Sequence, residues 1–123
     1  MNIIYKEESY RIVGICMEIH NYLGHGLSEI VYKEALEIEF RKAGLFYERE
    51  KEYEVVYKGV VLPHKFYADF VINEKIILEI KGKSQIVDAA LAQTINYLKV
   101  SENKLALIVN FGELKLNYKR IIL

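Results

Sequence analysis

Apolar residues recur at Ile12, Val13, Cys16, Ile19 and Leu23, a 3.6-residue spacing that predicts a helix capped by Ser9 and stopped at Gly24. After the turn Gly24-His25-Gly26, Ser28 is placed to cap a second helix that runs to about Ala43 and ends at Gly44. Two stripes, Val31, Ala35, Ile38 and Tyr32, Leu36, Phe40, predict a wide buried face for it. Glu29–Lys33 and Glu37–Arg41 then form i,i+4 pairs on the opposite face.

The period then changes. Leu45 to Tyr57 is strand-like, and Lys58-Gly59 makes a hairpin turn into a short strand, Val60–Leu62. Phe66–Ile72 and Ile76–Lys81 are two further strands, rich in β-branched and aromatic residues and joined around Asn73-Glu74-Lys75. Ile86 to Val100 reads as a helix with Leu91, Ile95 and Leu98 toward the core. Leu105–Asn110 is almost wholly apolar, as in a strand buried on both faces, and Leu114–Ile122 closes the chain as a last strand. The order ααβββ(β)αββ predicts an α/β (α+β) architecture, helices flanking a central mixed sheet.

At 123 residues, 1–123 is expected to be a single domain, long enough to bury a core without staples. The lone Cys16 excludes an internal disulfide and fits a reducing compartment, so a cytoplasmic protein is expected. No apolar run approaches the ~18 residues of a membrane span, and charges at Lys6, Glu7 and Glu8 argue against a signal peptide. Net charge is zero, which offers no bulk attraction to nucleic acid or membrane. The charges are unevenly spread: residues 1–54 hold 7 Lys/Arg against 11 Asp/Glu, and the rest is basic in balance.

Chemistry concentrates in two strands. Asp69 interrupts Phe66–Ile72, and Glu79 and Lys81 interrupt Ile76–Lys81. Burying an unpaired carboxylate costs several kcal/mol, so such charges need partners, a metal or an open cleft. The two-residue period of a strand puts Glu79 and Lys81 on one face and Ile80 on the other. An acid beside an acid-x-lysine gathers two carboxylates and an ammonium around one point, an oxygen set suited to Mg²⁺, with Mn²⁺ as its substitute. A lysine there can orient an attacking water or neutralise charge developing on a phosphoryl group. The competing reading is a salt bridge of Lys81 with Asp69 or Glu79 at a sheet edge. A shared metal also demands a particular register: a three-residue loop, Asn73 to Lys75, pairs Asp69 with Glu79, whereas a two-residue turn separates them.

Asp69, Glu79-Ile80-Lys81 and Gln93-Thr94-Ile95-Asn96-Tyr97 together resemble the PD-(D/E)xK nuclease superfamily, in particular its RecB-like branch with a Gln-x-x-x-Tyr helix. Gly26-Leu27-Ser28-Glu29-Ile30-Val31-Tyr32 is similar to the signature of the GxxExxY proteins. Leu107-Ile108-Val109-Asn110-Phe111-Gly112 and Lys119-Arg120-Ile121 resemble the same group. The resemblance implies a restriction-endonuclease-like core and Mg²⁺-dependent hydrolysis of phosphodiester bonds in DNA. It implies that Asp69 and Glu79 hold the metal, with the Ile80 carbonyl and Glu29 as further ligands. Lys81 would be the catalytic lysine, and Gln93 and Tyr97 would line the same cleft. Ala68, rather than proline, precedes Asp69.

Plainer roles compete for several residues. Glu29 suits the first turn of any helix, Tyr32 suits a core position with its hydroxyl at the cleft rim, and Cys16 suits packing. His20, His25 and His64 lack a zinc-ligand spacing. A non-catalytic nucleic-acid-binding or assembly module that keeps the nuclease fold is the main rival. A homodimer is expected, because one small neutral domain offers limited contact to a duplex and two-fold pairs are the commonest assembly.

Overall fold

The computed structural model describes residues 3–83 and 88–123. The elements are α1 (Lys6–Leu23), α2 (Glu29–Ala43), β1 (Tyr47–Tyr57), β2 (Val60–Ile72), β3 (Ile76–Lys81), α3 (Asp88–Ser101), β4 (Leu105–Asn110) and β5 (Asn117–Ile122). The strands form one five-stranded sheet in the order β1-β2-β3-β4-β5. All neighbours are antiparallel except β3 and β4, the pair separated in the chain by α3. A parallel pair needs such a crossover.

Alternation along the strands sorts two cores. Phe70, Ile72, Ile76, Leu78, Ile80, Leu107 and Val109 pack with Ile12, Cys16, Tyr32, Leu36 and Phe40 of α1 and α2. On the other face Val71, Ile77 and Ala106 pack with Tyr97 and Leu98 of α3. The expected central mixed sheet flanked by helices is therefore what forms. All six residues of β4 are buried, as its unbroken apolar run requires.

Several boundaries depart from expectation for identifiable reasons. Ser9 does not cap α1. The helix begins one turn earlier, and the Ser9 hydroxyl donates to the Tyr5 carbonyl at 2.7 Å. Arg120 of β5 ties this helix start to the sheet instead, donating to Ile4 O and Ser9 Oγ, both at 2.7 Å. Val60–Leu62 and Phe66–Ile72 merge into the single strand β2, running through Pro63. Near Pro63 β2 pairs only with β1, and the register shifts between Glu54 and Val56, so the missing N–H breaks no ladder on its outer side. Ile38 is 52% exposed, which narrows the buried stripe of α2 to Tyr32, Leu36 and Phe40. In α3 the inward residues are Thr94, Tyr97 and Leu98 rather than Leu91 and Ile95; Ile86 and Val87 lie outside the described residues.

The exits of β3 and β4 cross closely. A Cβ at Gly112 would collide with the Lys83 backbone carbonyl and with Gly82 C, and one at Gly82 would lie 3.2 Å from Glu29 Cγ. Gly112→Ala is therefore expected to force the Gly82-Lys83 backbone aside and to cost about 1–3 kcal/mol in urea unfolding. A substitution as neutral as one at an open glycine such as Gly14 would contradict this packing.

Candidate active site

β2 and β3 pair as Ile72↔Ile76, Val71↔Ile77 and Phe70↔Leu78, which leaves Asn73 to Lys75 as the three-residue loop a shared site requires. Asn73 and Glu74 both take positive φ, 51° and 61°. Carried one step further, this register sets Asp69 against Glu79, and here the two carboxylates take over the hydrogen bonding. The Asp69 N–H donates to Glu79 Oε2 at 2.7 Å, and the Ile80 N–H donates to Asp69 Oδ2 at 2.8 Å. Each acid thus grips the other strand where the ladder gives out.

Asp69 Oδ1 faces α2. It lies 2.7 Å from Lys33 Nζ, and the same ammonium lies 3.5 Å from Glu50 Oε1 on β1. Neither Lys33 nor Glu50 emerges from the sequence as a residue of the site. Lys33 was expected on a solvent face beside Glu29; instead it turns inward to Asp69, and Glu29 Oε2 accepts the Gly82 N–H at 3.0 Å. The other helical pair forms as expected, Arg41 to Glu37 at 3.7 Å, although Arg49 binds Glu37 more closely at 2.8 Å. A polar residue at position 33 amid the apolar stripes was the available signal for Lys33. Glu50 carried none, because its left-handed φ of 53° is a tertiary feature.

Glu79 is 3% exposed. Burial, and then the negative charge of Asp69, push its pKa up to about 8, against the pull of the Asp69 N–H and of Lys81 and Lys33. Burial pulls the Lys33 ammonium down, but the hydrogen bond and charge of Asp69, with Glu50, leave its pKa above the ordinary value. Glu79 holds its proton in the folded chain above the pH at which the unfolded chain releases it. This contribution to stability is full below the unfolded pKa near 4.5 and is lost as pH rises to about 8. In chelator, the protein is expected to lose a few kcal/mol between pH 5 and pH 9, at about 1.4 kcal/mol per pKa unit. Glu79→Gln should flatten the profile; equal slopes for the two proteins would refute the assignment.

Lys81 shares a strand face with Glu79 and Ile77 by alternation, the face covered by α3. It is half-buried and makes no salt bridge among the described residues, so the competing reading of a Lys81 bridge to Asp69 or Glu79 is not what forms; Lys33 pairs with Asp69 instead. Tyr97 stacks on Phe66 with ring centroids 4.4 Å apart. Its hydroxyl lies in the field of the two carboxylates: burial, then Glu79 and Asp69, push its pKa up to about 12. Gln93, one turn earlier on α3, is exposed.

Tyr32 is a core residue, as expected, and fully buried. It stacks on Phe111 at 4.4 Å, and its hydroxyl donates to Gly24 O and accepts from the Leu27 N–H, bracing the turn that presents Glu29. His25 and His64 are exposed, whereas His20 is buried with Nε2 2.9 Å from Glu113 O. Cys16 is a core thiol whose pKa burial raises to about 12.

Residues 6–121 match the family described as the PD-(D/E)XK nuclease superfamily. The chain belongs to that superfamily. Its mixed five-stranded sheet and flanking helices accord with a restriction-endonuclease-like PD-(D/E)XK fold. The crystal structure of SSO0001 is similar at a TM-score of 0.58 and 22% identity, over 75% of this chain and 48% of that one. This chain thus spans about half the length of that protein, and at such identity the likeness concerns the fold. No curated protein matches the chain.

PD-(D/E)XK nucleases generally use divalent metals. The residues present suit one in their donor chemistry: Asp69 and Glu79 supply two hard oxygen ligands in mutual contact through the backbone. Among the described residues no three His, Cys, Asp or Glu side chains gather as a metal cluster, and Glu29 is engaged with Gly82. Mg²⁺ commonly takes one or two carboxylates, keeping water and substrate phosphate as its other ligands. No described helix is long and apolar enough to cross a membrane.

Proposed function

We propose that the protein is a Mg²⁺-dependent nuclease that hydrolyses phosphodiester bonds in DNA. The observation that carries this reading is the reciprocal pair of hydrogen bonds by which Asp69 and Glu79 meet where β2 and β3 part. Asp69 and Glu79 would hold the ion, with the Ile80 carbonyl and Glu29 as candidates for further ligands. A bound divalent ion supplies a water of lowered pKa and positive charge beside a phosphoryl group. Lys81, on the face of Glu79 and at the strand end, would orient the attacking water and offset charge on the phosphate. Tyr97 and Gln93 would border the cleft from α3, Tyr97 fixed by its stack on Phe66. Two copies, paired as a dimer, would present two such sites to two strands.

The alternative, a non-catalytic nucleic-acid-binding module on the nuclease fold, draws support from the Lys33–Asp69 ion pair, which already gives Asp69 a cation. Incubating the full chain with linear and circular DNA in Mg²⁺ or EDTA separates the two. The nuclease reading predicts cleavage in Mg²⁺ that EDTA and Glu79→Ala both abolish. DNA binding without cleavage under any condition would favour the module.

A further inference from the structure

Lys33 sits on a helix, yet its side chain is only 14% exposed. Its ammonium spans two acids of different character: Asp69, equally enclosed at 14%, and Glu50, which is 50% exposed. Arg49 and Lys51 pair with Phe70 and Ala68, so position 50 falls opposite Asp69 in the β1–β2 ladder. At that position the backbone leaves strand geometry, and a non-glycine residue holds φ at 53°. Conformations of this kind persist only where surrounding structure enforces them, and they cluster at functional sites. The departure falls on the β1 residue whose carboxylate shares a lysine with Asp69.

A lysine and a divalent ion cannot both sit on one carboxylate oxygen without strong repulsion. The lysine stem is long and flexible, and the half-exposed Glu50 offers its ammonium a partner closer to water. Moving the charge there costs less than stranding it, unpaired, between α2 and the sheet. Taking Asp69 and Glu79 as ligands of a divalent ion, as proposed above, we propose that Lys33 competes with that ion for Asp69 Oδ1. Glu50 is the acceptor that keeps the displaced ammonium. Lys33 thereby sets the concentration of divalent ion at which the site loads.

The probe is Mn²⁺, titrated into the full-length chain and followed by the paramagnetic resonance signal of the free ion. Lys33→Gln keeps the side chain polar and removes the competitor, so it should bind Mn²⁺ at least about tenfold more tightly than the wild type, a change worth ~1.4 kcal/mol. Glu50→Gln removes the acceptor and should bind severalfold more weakly. Equal affinity in Lys33→Gln and wild type would overturn the competition while leaving the metal reading intact. Absence of Mn²⁺ binding in both would overturn the metal reading itself, and the competition with it. If Lys33→Gln does not fold, a Mn²⁺-soaked crystal of the wild type decides. Lys33 Nζ on Glu50 is the expected result, and Nζ still bonded to Asp69 beside the ion contradicts it.

Discussion

Replacing Lys81 by alanine is expected to lower the proposed Mg²⁺-dependent cleavage of DNA by roughly 10²–10³-fold, the effect of removing one preorganised charge at a reacting oxygen. Divalent-ion binding should survive, because Lys81 touches neither carboxylate in a salt bridge among the described residues. Its backbone should stay in place as well: the Lys81 carbonyl accepts the Phe111 N–H at 2.8 Å whatever the side chain. The variant should therefore melt close to the wild type in chelator. Cleavage within twofold of the wild type would show that Lys81 neither orients the water nor meets the phosphate.

Lys33→Ala should behave in the opposite way, costing about 3 kcal/mol of stability in chelator. Its loss leaves Asp69 Oδ1 without a cation in an enclosed place, beside a second buried acid. Urea unfolding of Lys33→Ala, Asp69→Asn and the double variant isolates the coupling between the two groups. A coupling of at least about 1 kcal/mol is expected; additive costs would mean that the 2.7 Å contact contributes nothing beyond its parts. The contrast between the two lysines separates holding the site together from using it.

Much of this arrangement was legible in the chain. Glycines at 24 and 44 ended α1 and α2 where expected, and the apolar runs at 76–81 and 105–110 became β3 and β4. The demand that Asp69 and Glu79 meet led to the three-residue loop, because in a strand one residue of slip changes the face. Local patterns failed where a distant partner outbid a near one. Lys33 has Glu29 one turn away, but Asp69, 36 positions on, lies closer to it in space. Ser9 likewise has no capping role, its hydroxyl bonded to the Tyr5 carbonyl and to Arg120, 111 positions on. The widening of β2 from β3 at Asp69, and the left-handed Glu50 opposite it, arise only once the sheet is assembled. No spacing of residue types marks them in advance.

A calorimetric titration of the protein with Mn²⁺ decides whether Asp69 and Glu79 form a divalent-ion site. Saturable binding is expected in the wild type, and it should disappear in Asp69→Ala and in Glu79→Ala, although both variants remain folded. Wild-type protein that takes up no Mn²⁺, or variants that bind it as the wild type does, would mean that these two carboxylates hold no ion.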